Sequence, residues 1–71
     1  MAFNGYKNYE TWNVALWISN DQRLYNIAKE CNNYSEFLEY MEWDAKTGDG
    51  VRYRDPILDI KELDEVIIET E

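Results

Sequence analysis

Between Asn8 and Asp21 the chain reads NYETWNVALWISND. At ~100° per residue its apolar positions cover most of a helix circumference. Tyr9, Trp12, Ala15, Leu16 and Ser19 share one side, and Thr11, Val14 and Ile18 form a second flank. Only Glu10, Asn13 and Trp17 remain for a third side, where the Trp17 indole N–H could reach a polar group or water. A helix apolar nearly all round is a central, buried one. On this reading Tyr9, Trp12 and Leu16 belong to the core.

Ser19, Asn20 and Asp21 interrupt the run, because such side chains bond their own backbone in preference to continuing a helix. Ser19 and Gln22 have capping-box spacing, with Asn20 or Asp21 as alternative caps. Leu24, Ile27, Ala28 and Cys31 then recur at helical spacing and predict a second amphipathic helix. NNYS is the next stop. Asn33 or Ser35 caps a third helix that turns Tyr34, Phe37, Leu38, Met41 and Ala45 inward. KTGDG, residues 46–50, reads as a loop. VRYR alternates and could pair as a short strand. Pro56 rules out a regular helix running through it, and Asp59 with Glu62 again has capping-box spacing. A last helix from about Ile60 buries Ile60, Leu63, Val66 and Ile67. The expected fold is mainly α: one small domain of about four short helices, with an irregular connector before the last.

Seventy-one residues suit one domain of low stability, roughly 0.05–0.15 kcal/mol per residue. Cys31 is the only cysteine, so no internal disulfide braces the chain. Apolar packing must do so, and eleven aromatic rings are available. The N-terminal MAFNGYKNYE lacks the layout of a signal peptide, and no apolar run reaches membrane-spanning length. A cytoplasmic protein without membrane association is the expectation.

Charge separates the two halves. Residues 1–35 carry three acids and three bases, whereas residues 36–71 carry twelve acids and four bases, which accounts for the whole net charge of −8. An acidic surface attracts basic partners and repels phosphate backbones, so direct nucleic-acid binding is not expected.

The missing residue types restrict chemistry further. There is no histidine, which removes the commonest general base and the commonest metal ligand. Cys31 lies on an apolar stripe and reads as an inert buried thiol. Asp44 and Asp55 have the outer spacing of an EF-hand, but Lys46 and Asp49 stand where a ligand and a glycine are needed. GDG does not extend into a phosphate-binding loop. Arg52, Tyr53 and Arg54 read as an exposed connector whose arginines answer nearby acids. No catalytic residue, metal site or cofactor is expected, and the chain does not read as an enzyme.

The third helix carries the functional hint. On the wheel Tyr40 and Trp43 fall with Glu36 and Glu39, away from Phe37, Leu38 and Met41. Such rings are interface anchors, and neighbouring acids could steer a basic partner. The alternative is that both rings fold over the edge of a small core. Glu62 and Glu65 join Glu36, Glu39, Tyr40 and Trp43 as candidate partner-binding residues, and Ile68 lies outside the last helix's stripe.

The stretch N-Y-E-T-W-N-V-x-L-W-I-x-N-D, residues 8–21, resembles a family of small proteins of unknown function. Its members are met mainly in bacteriophages, including viruses of cyanobacteria, and in some bacterial genomes. Asp49-Gly50-Val51, Asp55, Leu58 and Leu63 to Ile67 carry a weaker likeness. The resemblance transfers no catalytic residue. It implies a viral accessory protein in a bacterial host cytoplasm that binds and redirects a host macromolecule. The expected function is therefore binding of a host protein with a basic, nucleic-acid-handling surface, which the acids would occupy as a phosphate mimic. The rivals are a homodimeric or larger structural assembly, and a small-ligand protein with a site among Tyr9, Trp12 and Trp17.

Overall fold

Four side-chain caps divide the chain. In the computed structural model, which describes residues 3–70, Asn8, Asp21, Asn33 and Asp59 each accept a hydrogen bond from the backbone N–H three residues on. The helices they open are α1 (Tyr9–Asn20), α2 (Gln22–Lys29), α3 (Tyr34–Glu39) and α4 (Ile60–Glu69). Asp21 serves twice, because its own N–H also closes α1 on the Trp17 carbonyl at 2.9 Å. A single residue thus turns the chain from α1 into α2.

The architecture is mainly α, as the pattern of the sequence implies. α1 packs on α2 and α4, and α4 also meets α3 and α2. Between α3 and α4 the connector folds back on itself through one antiparallel bridge, Lys46 to Arg52. Hydrogen bonds from Thr47 N to Val51 O and from Tyr53 N to Ala45 O extend it. Gly50 takes φ +92° at the reversal, a backbone region that favours glycine. The radius of gyration is 10.8 Å, close to the ~11 Å expected of one compact unit this long.

The core collects Val14 and Ile18 of α1, Leu24 and Ala28 of α2, Tyr34 and Phe37 of α3, and Leu63, Val66 and Ile67 of α4. Val51, Tyr53 and Leu58 of the connector complete it. Cys31 is buried with them, and its thiol is pushed up by burial and by Glu36, Glu30 and Glu39. Ile27, Leu38 and Met41 pack against this core while remaining partly exposed.

Three expectations change. α1 is turned so that Thr11, Asn13, Val14, Ala15 and Ile18 are buried. Tyr9 is 40 % exposed, and Trp12 and Leu16 are only partly covered. Tyr9 and Trp12 instead join Phe3 in an outer aromatic cluster, with ring centroids 5.0–5.7 Å apart. The physical reason is that Thr11 and Asn13 find hydrogen-bond partners inside, which removes the penalty for burying them. Second, α3 ends at Glu39, so Tyr40 is its C-cap and Trp43 lies in the following turn rather than on the helix. Third, Ile60 is 44 % exposed, since as the first residue of α4 it precedes the turn that packs.

Candidate functional site

Two polar networks fix α1 against the second half of the chain. At its start, Asn8 Oδ1 accepts from both the N–H and the hydroxyl of Thr11. The Thr11 oxygen in turn accepts from Asp59 N at 3.0 Å, and Asn8 Nδ2 donates to Ile57 O. The N-termini of α1 and α4 are therefore joined through one hydroxyl. Glu62, which capping-box spacing would fold back onto Asp59, accepts instead from Lys7 N at 2.8 Å.

At the other end of α1, Asn13 and Trp17 project one turn apart towards the 46–50 loop. Asn13 Nδ2 (2.8 Å) and Trp17 Nε1 (3.0 Å) both donate to Asp49 Oδ2. Thr47 donates to Asn13 Oδ1 at 2.7 Å, and its oxygen accepts from Val51 N and Asp49 N. These donors hold the Asp49 carboxyl below its ordinary value of 3.8, with Asn13 the larger cause. A Cβ placed on Gly48 would overlap Cζ2 and Cη2 of Trp17. Gly48 is thus required by close approach of the indole. The polar group that the third side of α1 allowed Trp17 to find is Asp49. Nothing in the local sequence pattern singles out Asn13 or Thr47, but an amide and an indole four apart opposite a Gly-Asp-Gly loop are a usable signal.

The six candidate partner-binding residues fall into separate settings. Tyr40 and Trp43 are 61 % and 72 % exposed, the two most exposed large apolar side chains described. Trp43 has the Arg54 guanidinium 4.7 Å from its ring centroid. Arg54 Nη2 donates to the Leu38 carbonyl at 2.8 Å, so this cation caps the end of α3 instead of answering an acid. Its neighbour Tyr53 is buried, and its phenol is raised by burial first and by Asp21 second. Tyr53 O accepts from the Tyr34 hydroxyl. The Arg52–Arg54 segment is consequently part of the framework, not the free connector its composition suggests.

Trp43 and Arg54 line an open groove of about 260 Å³ with Leu38, Pro56, Leu58 and Ile60. Glu39 is exposed, whereas Glu36 accepts from Asn32 N at 2.7 Å and stabilises the start of α3. Glu62 and Glu65 line a different groove of about 260 Å³, with Glu69, Tyr6 and Gly5. The Tyr6 phenol is raised there by burial, then by Glu69 and Glu62. Ile68 is 57 % exposed.

Among the described residues no group of three or more Cys, Asp or Glu side chains is placed to hold a metal ion. Of the carboxylates with EF-hand spacing, Asp55 accepts from Ile57 N, and between them Asp49 is occupied by α1. None of the described helices is long and apolar enough to cross a membrane.

No curated protein and no solved structure matches the chain. Residues 8–21 form a set of caps and ties: Asn8, Thr11, Asn13, Trp17 and Asp21 each hold another part of the fold. The match that does exist runs over residues 1–71, and the chain belongs to DUF7249, a family of unknown function.

Proposed function

We propose that the chain is a non-enzymatic binding protein that engages a basic surface on a host protein, through the rim formed by Tyr40 and Trp43. The observation that carries the reading is the exposure of these two rings. Leaving an indole 72 % in water forgoes burial that so small a core could use, and aromatic side chains of this kind are preferred interface anchors. Glu39 at the end of α3, and Glu62 and Glu65 on α4, supply negative charge for steering in a chain of net charge −8. A nucleic-acid-handling protein is the natural target class, because its substrate groove is basic. The bacteriophage resemblance supports an accessory role in a bacterial host cytoplasm.

Capture of partners from bacterial cytosol tests the reading, with the wild type compared against the double variant Tyr40→Ala/Trp43→Ala. One specific partner is expected, lost in the variant and released by added salt. Equal capture by the variant, or binding indifferent to ionic strength, overturns it. The exposure of Ile57, Ile60 and Ile68 favours a second reading, in which the chain meets a second copy of itself. Light scattering across concentrations separates the two, since a strict monomer eliminates self-assembly.

A further inference from the structure

Where α1 turns into α2, the Asn13–Trp17–Asp49 network leaves one side open. Leu16, Trp17, Asn20, Asp21 and Asp49 line a notch of about 230 Å³. That is below the ~300–1,000 Å³ typical of small-molecule sites, and suits one protruding side chain.

Two carboxylates alone would be a solvated patch, but here the indole and one carboxylate are held in fixed relation. Trp17 is tied by its N–H to Asp49 Oδ2 and wedged by Gly48. Asp49 is held by Asn13, which is itself fully buried and oriented by Thr47. Asp21 uses Oδ1 to cap α2. Among the described residues, the second oxygen of each carboxylate accepts no hydrogen bond.

We infer that this notch is a receptor for a single arginine side chain of a protein partner, the guanidinium lying against Trp17 and donating to Asp49 and Asp21. The chemistry selects arginine over lysine. A planar guanidinium stacks on an aromatic ring and forks to two acceptors at once, whereas an ammonium is a compact, strongly hydrated point charge. The donors from Asn13 and Trp17 hold the Asp49 carboxyl below its ordinary value, which keeps this acceptor charged near neutral pH. The site uses none of the residues of the Tyr40–Trp43 rim.

The test is a titration with Nα-acetyl-L-arginine methylamide in low-salt buffer, read on the Trp17 indole N–H resonance. That resonance is assigned by comparison with Trp12→Phe and Trp43→Phe. A saturating shift is expected, weaker with the lysine analogue and absent with the uncharged citrulline analogue. Asp49→Asn and Asp21→Asn keep an acceptor oxygen at each internal hydrogen bond and remove only the charge. Each should weaken binding about tenfold, the scale of one charge-assisted contact. A response equal for citrulline, or wild-type affinity in Asp49→Asn with its spectrum intact, overturns the proposal. Because the probe needs no partner, failure here is distinguishable from failure of the rim: Tyr40→Ala/Trp43→Ala leaves the arginine titration unchanged.

Discussion

Trp17 and Trp43 are both partly solvated indoles beside a charged group, and they sit in opposite circumstances. Trp17 donates to Asp49, has Gly48 against its ring, and shares its acceptor with a fully buried Asn13. Trp43 stands 72 % exposed on a turn, with the Arg54 guanidinium 4.7 Å from its ring centroid. The first is one member of a network in which every move breaks a second contact. The second can be removed with little rearrangement, which is what allows it to serve a partner. The difference is one of coupling rather than of residue type, and substitutions on the two sides should separate it.

The largest effect is expected at Asn13. Asn13→Ala removes the bonds to Thr47 and Asp49 and leaves the buried Thr47 hydroxyl without its acceptor. An unsatisfied buried group and a small cavity together cost about 2–4 kcal/mol. A 71-residue domain has roughly 4–11 kcal/mol in total. Urea unfolding should therefore show a large fall in midpoint. If Asn13→Ala unfolds like the wild type, the clamp is no more coupled than the rim.

Gly48→Ala comes next. The added methyl meets the far edge of Trp17, which can yield only by releasing Asp49, so a loss of about 1–3 kcal/mol is expected. The Gly48 backbone needs no positive φ, so the cost is contact alone. In a Trp17→Phe background the same substitution should cost clearly less, and the double-mutant cycle measures that coupling. Additive losses would show that the loop and the indole are independent.

A smaller effect appears with pH. The Asp49 carboxyl is held below its ordinary 3.8 in the folded chain, by Asn13 first and Trp17 second. Its contribution is therefore present above the unfolded value, and is lost as pH falls through the folded one. The stability gap between wild type and Asp49→Asn should be widest near pH 7 and should narrow below about pH 3.8. A gap that stays constant down to pH 3 would show that ionisation of Asp49 does not matter to the clamp.

These contacts also explain which features can be read along the chain. Asn8, Asp21, Asn33 and Asp59 cap the helices through bonds to residues three away, so a local window finds the element starts. The rotation of α1 depends on Thr11 meeting Asp59 and Asn13 meeting Thr47, residues 48 and 34 apart. A helix apolar nearly all round has no dominant face to set that rotation by hydrophobicity, so long-range polar contacts decide it. The pattern alone points Tyr9 and Trp12 inward, whereas Tyr9 is exposed and Trp12 only partly covered. The end of α3 is hidden for the same reason, because Arg54 caps it from 16 residues downstream. Trp43 therefore leaves the helix wheel and shares an open groove with Leu38, from which the wheel separates it.

On the rim, Trp43→Ala should change stability least. It removes one cation–π contact with Arg54, at a partly exposed site where such contacts contribute about 0.5–1 kcal/mol. Arg54 keeps its bond to the Leu38 carbonyl, so the end of α3 stays capped. The urea midpoint should move by about a quarter of the Asn13→Ala shift, while partner capture is lost. Tyr40→Ala should behave alike, since its ring is 61 % exposed. A midpoint shift as large as that of Asn13→Ala would mean that Trp43 holds the connector against α3. The rim would then be a second clamp, and the exposure of its rings would no longer argue for a partner.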